Sequence, residues 1–150
     1  MTSLLDDNTL IQVSSVLHND NANNGPQNMT DGDPDTAWYS GDDRPYHIMI
    51  HFHRQVHIHA ITMAFVDNWG AMACMAIIPS VKGWTMRPTK DSTKPQTFVA
   101  PDSVKAASLD FLSLIIHKGS GYFENQVAIS FLDVIGVEAQ PAQPVPQPAE

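Results

Sequence analysis

The stretch from His47 to Phe65 constrains this chain more than any other. His47-Ile48-Met49-Ile50-His51-Phe52-His53 puts Ile48, Ile50 and Phe52 on one face and His47, Met49, His51 and His53 on the other. A period of two is the signature of a half-buried strand. Arg54-Gln55 interrupts the run, and Val56 to Phe65 resumes it with a slip of phase between Ile58 and Ile61. That slip predicts a β-bulge. Further strands are predicted over Ile11–Leu17, Ser108–His117 and Val127–Glu138, with shorter ones at Met75–Ile78 and Thr97–Val99. Turn-forming clusters separate them, such as Asn23-Asn24-Gly25-Pro26, Ser40-Gly41-Asp42-Asp43-Arg44-Pro45 and Lys118-Gly119-Ser120-Gly121. Val104 to Ser108 suits one helical turn, and no amphipathic helix or internal repeat is visible. Many short strands of this kind predict an all-β fold, an antiparallel sandwich or barrel.

The chain has 150 residues, of which 43% are hydrophobic, so one domain can bury a sizeable core. That domain is expected over residues 7–139, with residues 1–6 a flexible lead. The ending AQPAQPVPQPAE, residues 140–150 within it, reads as a disordered Pro/Gln-rich tail. No apolar run is long enough to span a membrane, and the start MTSLLDDNTL lacks the basic and apolar regions of a secretory signal. Cys74 is the only cysteine, which excludes an intrachain disulfide and suits a reducing compartment. A cytoplasmic or nuclear location is the resulting expectation. The net charge of −8 argues against nucleic acid, whose phosphates call for Lys and Arg. Before Pro45 there are eight acidic residues and one base, Arg44, which points that end toward a cation or a basic surface.

The densest acidic motif is Asp31-Gly32-Asp33-Pro34-Asp35-Thr36, ahead of Trp38. Gly32 allows positive φ, Pro34 fixes φ, and aspartates close onto nearby backbone N–H groups, so the segment is built to turn. The same geometry gathers the hard oxygens that Ca²⁺ prefers, leaving a plain turn and a cation site as alternatives. An EF-hand fails because the sixth loop position is Thr36 and neither flank is helical. A catalytic carboxylate pair fails too, since consecutive turn residues give no opposed environments.

Five of the seven histidines lie between His47 and His59. Antiparallel pairing of the His51/His53 and His57/His59 segments is one way to gather imidazoles for Zn²⁺ or Cu²⁺. With no carboxylate placed behind them, solvated polar-face histidines are expected instead. No nucleophile sits in a G-x-S-x-G elbow, so no Ser-His-Asp triad is legible and the chain reads as a non-enzyme. Met72, Cys74 and Met75 are expected to plug one end of the core, with an exposed apolar rim as the alternative.

Asp31 to Ser40, followed by His47-Ile48-Met49-Ile50-His51-Phe52 and Val56-His57-Ile58, resembles the motif order of galactose-binding-like jelly rolls. These include discoidin (coagulation factor C-type) domains and family 32 carbohydrate-binding modules. Within that superfamily the chain is most similar to the nuclear receptor-associated protein family, through Val13-Ser14-Ser15-Val16-Leu17, Gln96-Thr97-Phe98 and Gly121-Tyr122-Phe123. Phe52 to Ile58 also resembles the jelly-roll subunit of the intraflagellar transport B complex.

The resemblance implies a β-sandwich binding module with a structural Ca²⁺ held by Asp31, Asp33, Asn28 and Thr36. The glutamate that sugar-binding members place five residues before the last strand's glycine is Phe131 here. The leading expectation is an intracellular protein–protein interaction module. The alternative is a carbohydrate-binding lectin-like module, for which Trp69 beside Asp67 and Asn68 is the candidate site.

Overall fold

A computed structural model describes residues 1–71, 73–89, 93–117 and 126–139. Its strands are β1 (Thr2–Ser3), β2 (Leu10–Val13), β3 (Trp38–Tyr39), β4 (Tyr46–Phe65), β5 (Cys74–Ile77), β6 (Trp84–Met86), β7 (Gln96–Val99), β8 (Leu109–Ile116) and β9 (Ala128–Glu138). The only α-helical segments among the described residues are α1 (Asn21–Asn24) and α2 (Asp102–Ala106). Every pairing is antiparallel, in the order β1-β9-β4-β8-β5-β6, with β2 and β7 also on β4 and β3 also on β9.

The alternating run builds the fold by changing partners halfway. The first half of β4 lies between β2 and β8, and the second half between β7 and β9. One strand thereby serves both layers of the sandwich. Arg54-Gln55 does not end the strand as expected; it marks the bend. His53 takes a left-handed φ of 60°, and the β8 pairing jumps from His51↔Phe111 to Val56↔Leu109. Arg54 holds that bend. Its guanidinium lies 3.3 Å from Asp6 and 3.5 Å from Glu138 and donates to the Phe52 and Leu4 carbonyls.

The phase slip is a bulge. Ile58 pairs with Gly136 and Ala60 with the adjacent Ile135, which leaves His59 as the extra residue. Ile48, Ile50, Phe52, Val56 and Ile58, and after the slip Ile61 and Met63, are all fully buried. Each such side chain contributes about 1.5–3 kcal/mol by leaving water.

Three expectations need correction. Residues 1–6 are not a loose lead: Thr2 and Ser3 pair with Gly136 and Ile135, and Leu4 is buried. Gly136 permits the close approach of β9 to β4, since a Cβ there would meet the His57 carbonyl oxygen at 2.0 Å. The strand expected over Ile11–Leu17 stops at Val13 because Ser14 and Ser15 turn their hydroxyls to the backbone N–H groups of His47 and Gly41. The helical turn begins earlier, at Asp102, where the Pro101 carbonyl accepts from Val104 and Lys105. Strands β3 and β6, of two and three residues, were too short to show a period.

Cys74 and Ala71 join the core and Met75 is half-buried, as the plug reading expects; Met72 and the tail 140–150 lie outside the described residues. Burial pushes the Cys74 thiol up to about 12.

Candidate functional site

The acidic turn seats Trp38. That side chain is fully buried, and its indole N–H donates to the Ser15 carbonyl at 2.9 Å. The turn leading to it closes upon itself. Asp31 Oδ1 accepts from the Asp33 N–H at 2.9 Å, and Asp33 Oδ1 accepts from the Asp35 N–H at 2.8 Å. The Thr36 hydroxyl donates to Asp31 Oδ2 and reaches the Asp33 carbonyl at 3.1 Å. Gly32 supplies the left-handed residue at φ 76°. The Thr36 hydroxyl first, and the Asp33 amide second, hold the Asp31 carboxyl below the ordinary value of 3.8.

The four residues proposed for Ca²⁺ do not gather as one set. Asp31, Asp33 and Thr36 converge, but Asn28 is buried and donates its amide to the Asn23 and Ala37 carbonyls at 2.7 and 3.1 Å. The strand position that would bring a further carboxylate is the apolar Phe131, which lines a pocket of about 490 Å³ beside the turn. The Asp31 and Asp33 oxygens that converge are engaged inside the turn by the Asp33 and Asp35 amides and the Thr36 hydroxyl, rather than held open for the six to eight oxygen contacts that Ca²⁺ takes. The side chains present do not make a calcium shell, and no cluster of three or more His, Cys, Asp or Glu suited to a metal occurs among the described residues.

The His51/His53 and His57/His59 segments do not pair, because all four histidines share the single strand β4; the His51 and His53 rings stack 6.2 Å apart. His51 faces Gln12 at 3.1 Å, His53 contacts the Asn8 carbonyl, and His57 contacts the Lys105 carbonyl at 3.1 Å.

The lectin candidate splits. The turn 66–69 is pinned to β9 by Val66 N–H to Ala128 O (3.1 Å) and Ala128 N–H to Trp69 O (3.0 Å), and Asn68 sits at its corner with φ 65°. Asp67 is thereby placed in the Phe131 pocket, with Asp33 and Asp35. Trp69 lines a second pocket of about 690 Å³, together with His18, Asn19, Asp42, Asp43 and Gln126. The two pockets meet at an aromatic partition: Tyr39 lines the first, Trp69 the second, and their rings stand edge to face, 86° apart in plane and 5.2 Å between centroids.

The Trp69 pocket draws on four segments. His18 and Asn19 enter with left-handed φ of 57° and 55°, a conformation that no residue pattern announces. Ser15, on the rim, fixes Gly41 through its hydroxyl at 3.0 Å and so positions the Asp42-Asp43 loop. Gln126, 1% exposed, donates from Nε2 to Asp42 Oδ1 at 2.7 Å, while its Oε1 has no hydrogen-bond partner among the described residues. A half-buried indole ringed by hydrogen-bonding side chains can take a polar ligand with one apolar face. Sequence reading found Trp69 and missed the others, since Asp42 and Asp43 read as turn formers and Gln126 follows an unpatterned loop.

This fold is that of the galactose-binding-like, F5/8 type C jelly rolls. Among solved structures the chain is similar to the Clostridium perfringens module CpGH89CBM32-5 in complex with GalNAc-β-1,3-galactose, with 16% identity, a TM-score of 0.69, and 90% of this chain and 100% of that one covered. It is similar to the family 32 carbohydrate-binding module of C. perfringens NanJ in complex with galactose, at 12% identity and TM-score 0.68, covering 89% of this chain and 97% of the other. An F5/8 type C domain of a Bacteroides fragilis protein matches at 9% identity and TM-score 0.68, over 92% and 97% of the two chains. No family model matches the chain, and no curated protein matches it. The jelly-roll fold that the resemblance implies is the one found; the narrower likeness to nuclear receptor-associated proteins finds no support in these comparisons.

Proposed function

We propose that this chain is a non-enzymatic carbohydrate-binding module that holds a saccharide in the Trp69 pocket. One observation carries the reading: a half-buried indole at the loop end, surrounded by His18, Asn19, Asp42 and Gln126 from separate segments. A sugar ring offers what such a pocket takes, an apolar face for the indole and hydroxyls for the polar rim. The structural neighbours crystallised with galactose and with GalNAc-β-1,3-galactose add weight to a saccharide over a protein partner. The neighbours favour this saccharide reading over the adaptor reading, and the nuclear-receptor partner, which rested on the narrower resemblance alone, goes with that resemblance.

The Asp31 turn is read as scaffold, a self-closed segment that seats Trp38 and fixes the loop end from beneath. Screening the purified chain on a glycan array, beside Trp69→Ala, tests the function. Binding to a defined set of glycans that is lost in Trp69→Ala is the expected result. Binding that survives the substitution places the ligand elsewhere.

A further inference from the structure

The Trp69 pocket draws on the segments that follow β2 and precede β4, off the end of the sheet. The outer face of that sheet is separate from it. Along the continuous register of β2, β4, β8, β5 and β6, alternate residues such as Ile48, Ile50, Leu112 and Leu114 point into the core, and their neighbours point out. The outward apolar side chains are Leu10, Met49, Phe111, Ile115, Met75 and Ile77. Leu10 and Ile77 are 45% and 39% exposed, and the other four are half-buried. Between them stand Gln12, His47, His51, Ser113 and Thr85. None of these positions holds Asp, Glu, Lys or Arg, in a chain with 16 acidic residues and a net charge of −8. The carboxylate of β8, Asp110, lies past Phe111 at the bend, where the register to β4 jumps. Gln12 Oε1 at 3.1 Å from Nε2, and the Phe111 ring at 4.8 Å between centroids, fix the His51 ring on this face.

We infer that a second copy of this chain docks on the face, giving a two-fold dimer in which sheet packs on sheet. Charge is the first argument for a second copy. Chains at −8 repel one another over most approaches, and here no carboxylate is set against another. Symmetry is the second. A two-fold axis sets the patch against itself, so its polar groups must pair with their own kind. Gln, Ser, Thr and neutral His each carry a donor and an acceptor and can do so, whereas a fixed charge cannot. Area then sets the strength. Strands about 4.8 Å apart, with a rise of about 3.3 Å per residue, make the face roughly 400 Å² in plan. Side-chain relief brings the surface buried by two copies to about 1,000 Å², the low end for a specific interface. The dimer is therefore reversible, with a Kd on the order of tens of micromolar. Both Trp69 pockets stay open in it, because no outward residue of the face lines them.

Sedimentation equilibrium of the full chain from about 1 µM to about 1 mM is the experiment, and a monomer–dimer equilibrium with its midpoint in the tens of micromolar is the expected result. Ser113 lies at the centre of the middle strand, so Ser113→Asp sets two carboxylates together and should weaken the dimer about tenfold or more. Ile77→Lys, on the adjacent strand, should act likewise and serves if Ser113→Asp fails to fold. Val99→Asp, at a 67% exposed residue of β7, and Trp69→Ala should leave the equilibrium unchanged. Dilution of the ¹⁵N-labelled wild type reads the same surface without a variant, with shifts expected in β2, β5, β8 and the first half of β4.

A chain that is monomeric at every concentration overturns the proposal and leaves the face to an occupant of another kind. A dimer that withstands folded Ser113→Asp and Ile77→Lys, or whose dilution shifts centre on β7 and β9, overturns the assignment of this face.

Discussion

Two acidic loops stand at the same end of this molecule and differ in one respect. In the Asp31 turn every carboxylate contact closes inward, onto the Asp33 and Asp35 amides and the Thr36 hydroxyl. In the Trp69 pocket the Asp42–Gln126 pair leaves Gln126 Oε1 without a partner among the described residues. The turn had the more conspicuous sequence, and the pocket has the capacity for a ligand. Charge density in a sequence marks a place where polar groups gather. A polar group left unpaired at a pocket wall is one that a ligand can satisfy.

The comparison breaks most visibly at the buried indole. Trp38→Ala should cost about 3–5 kcal/mol, as deletion of a fully buried aromatic does. Denaturant unfolding measures it, and an effect below about 1 kcal/mol would mean that the turn does not depend on Trp38. The buried Cys74 thiol reports the same event: alkylation should be slow in the wild type and much faster in Trp38→Ala, with little change in Trp69→Ala.

Within the turn, Asp31→Ala should lower stability by much less than Trp38→Ala, through the lost Thr36 and Asp33 contacts. The loss should be the same with and without Ca²⁺, and the wild-type melting temperature should not move with Ca²⁺. A calcium-dependent rise that disappears in Asp31→Ala would show that water and backbone carbonyls complete a shell there.

A smaller effect is expected in acid. Asp31 titrates below its ordinary value in the folded chain, so its stabilisation is fully present above pH 3.8 and is lost as pH falls through the lower folded value. Asp31→Ala should flatten the stability profile only in that acid window, and a difference confined to neutral pH would contradict the hydrogen-bond account. Gln126→Leu should shift the melt least of all, by less than about 1 kcal/mol, because one lost bond to Asp42 is offset by removal of an unpaired acceptor. Its saccharide affinity should nevertheless fall.

Alternation made the fold legible. Ile48, Ile50 and Phe52 declared their face, and the slip after Ile58 located the bulge at His59. The bend at His53 was not legible as a continuous strand, because Arg54 resembles a break until its contacts to Asp6, Glu138 and Leu4 are visible. The site was legible only at Trp69. Asp67 is two residues away in sequence and occupies a different pocket, since the Asn68 corner turns the chain between them. His18 and Asn19 reach the pocket through left-handed backbone, and Gln126 reaches it by pairing with Asp42 across 84 positions of chain. Local pattern holds no record of contacts at that separation.

The most direct test is a titration of the ¹⁵N-labelled chain with the glycan that binds tightest on the array, followed by amide and side-chain chemical shifts. The account predicts shifts centred on the Trp69 indole, the Gln126 side-chain amide, His18 and Asp42, with Gly32 to Thr36 unmoved. Shifts centred on the Asp31 turn and Phe131, with the Gln126 amide unmoved, would contradict it.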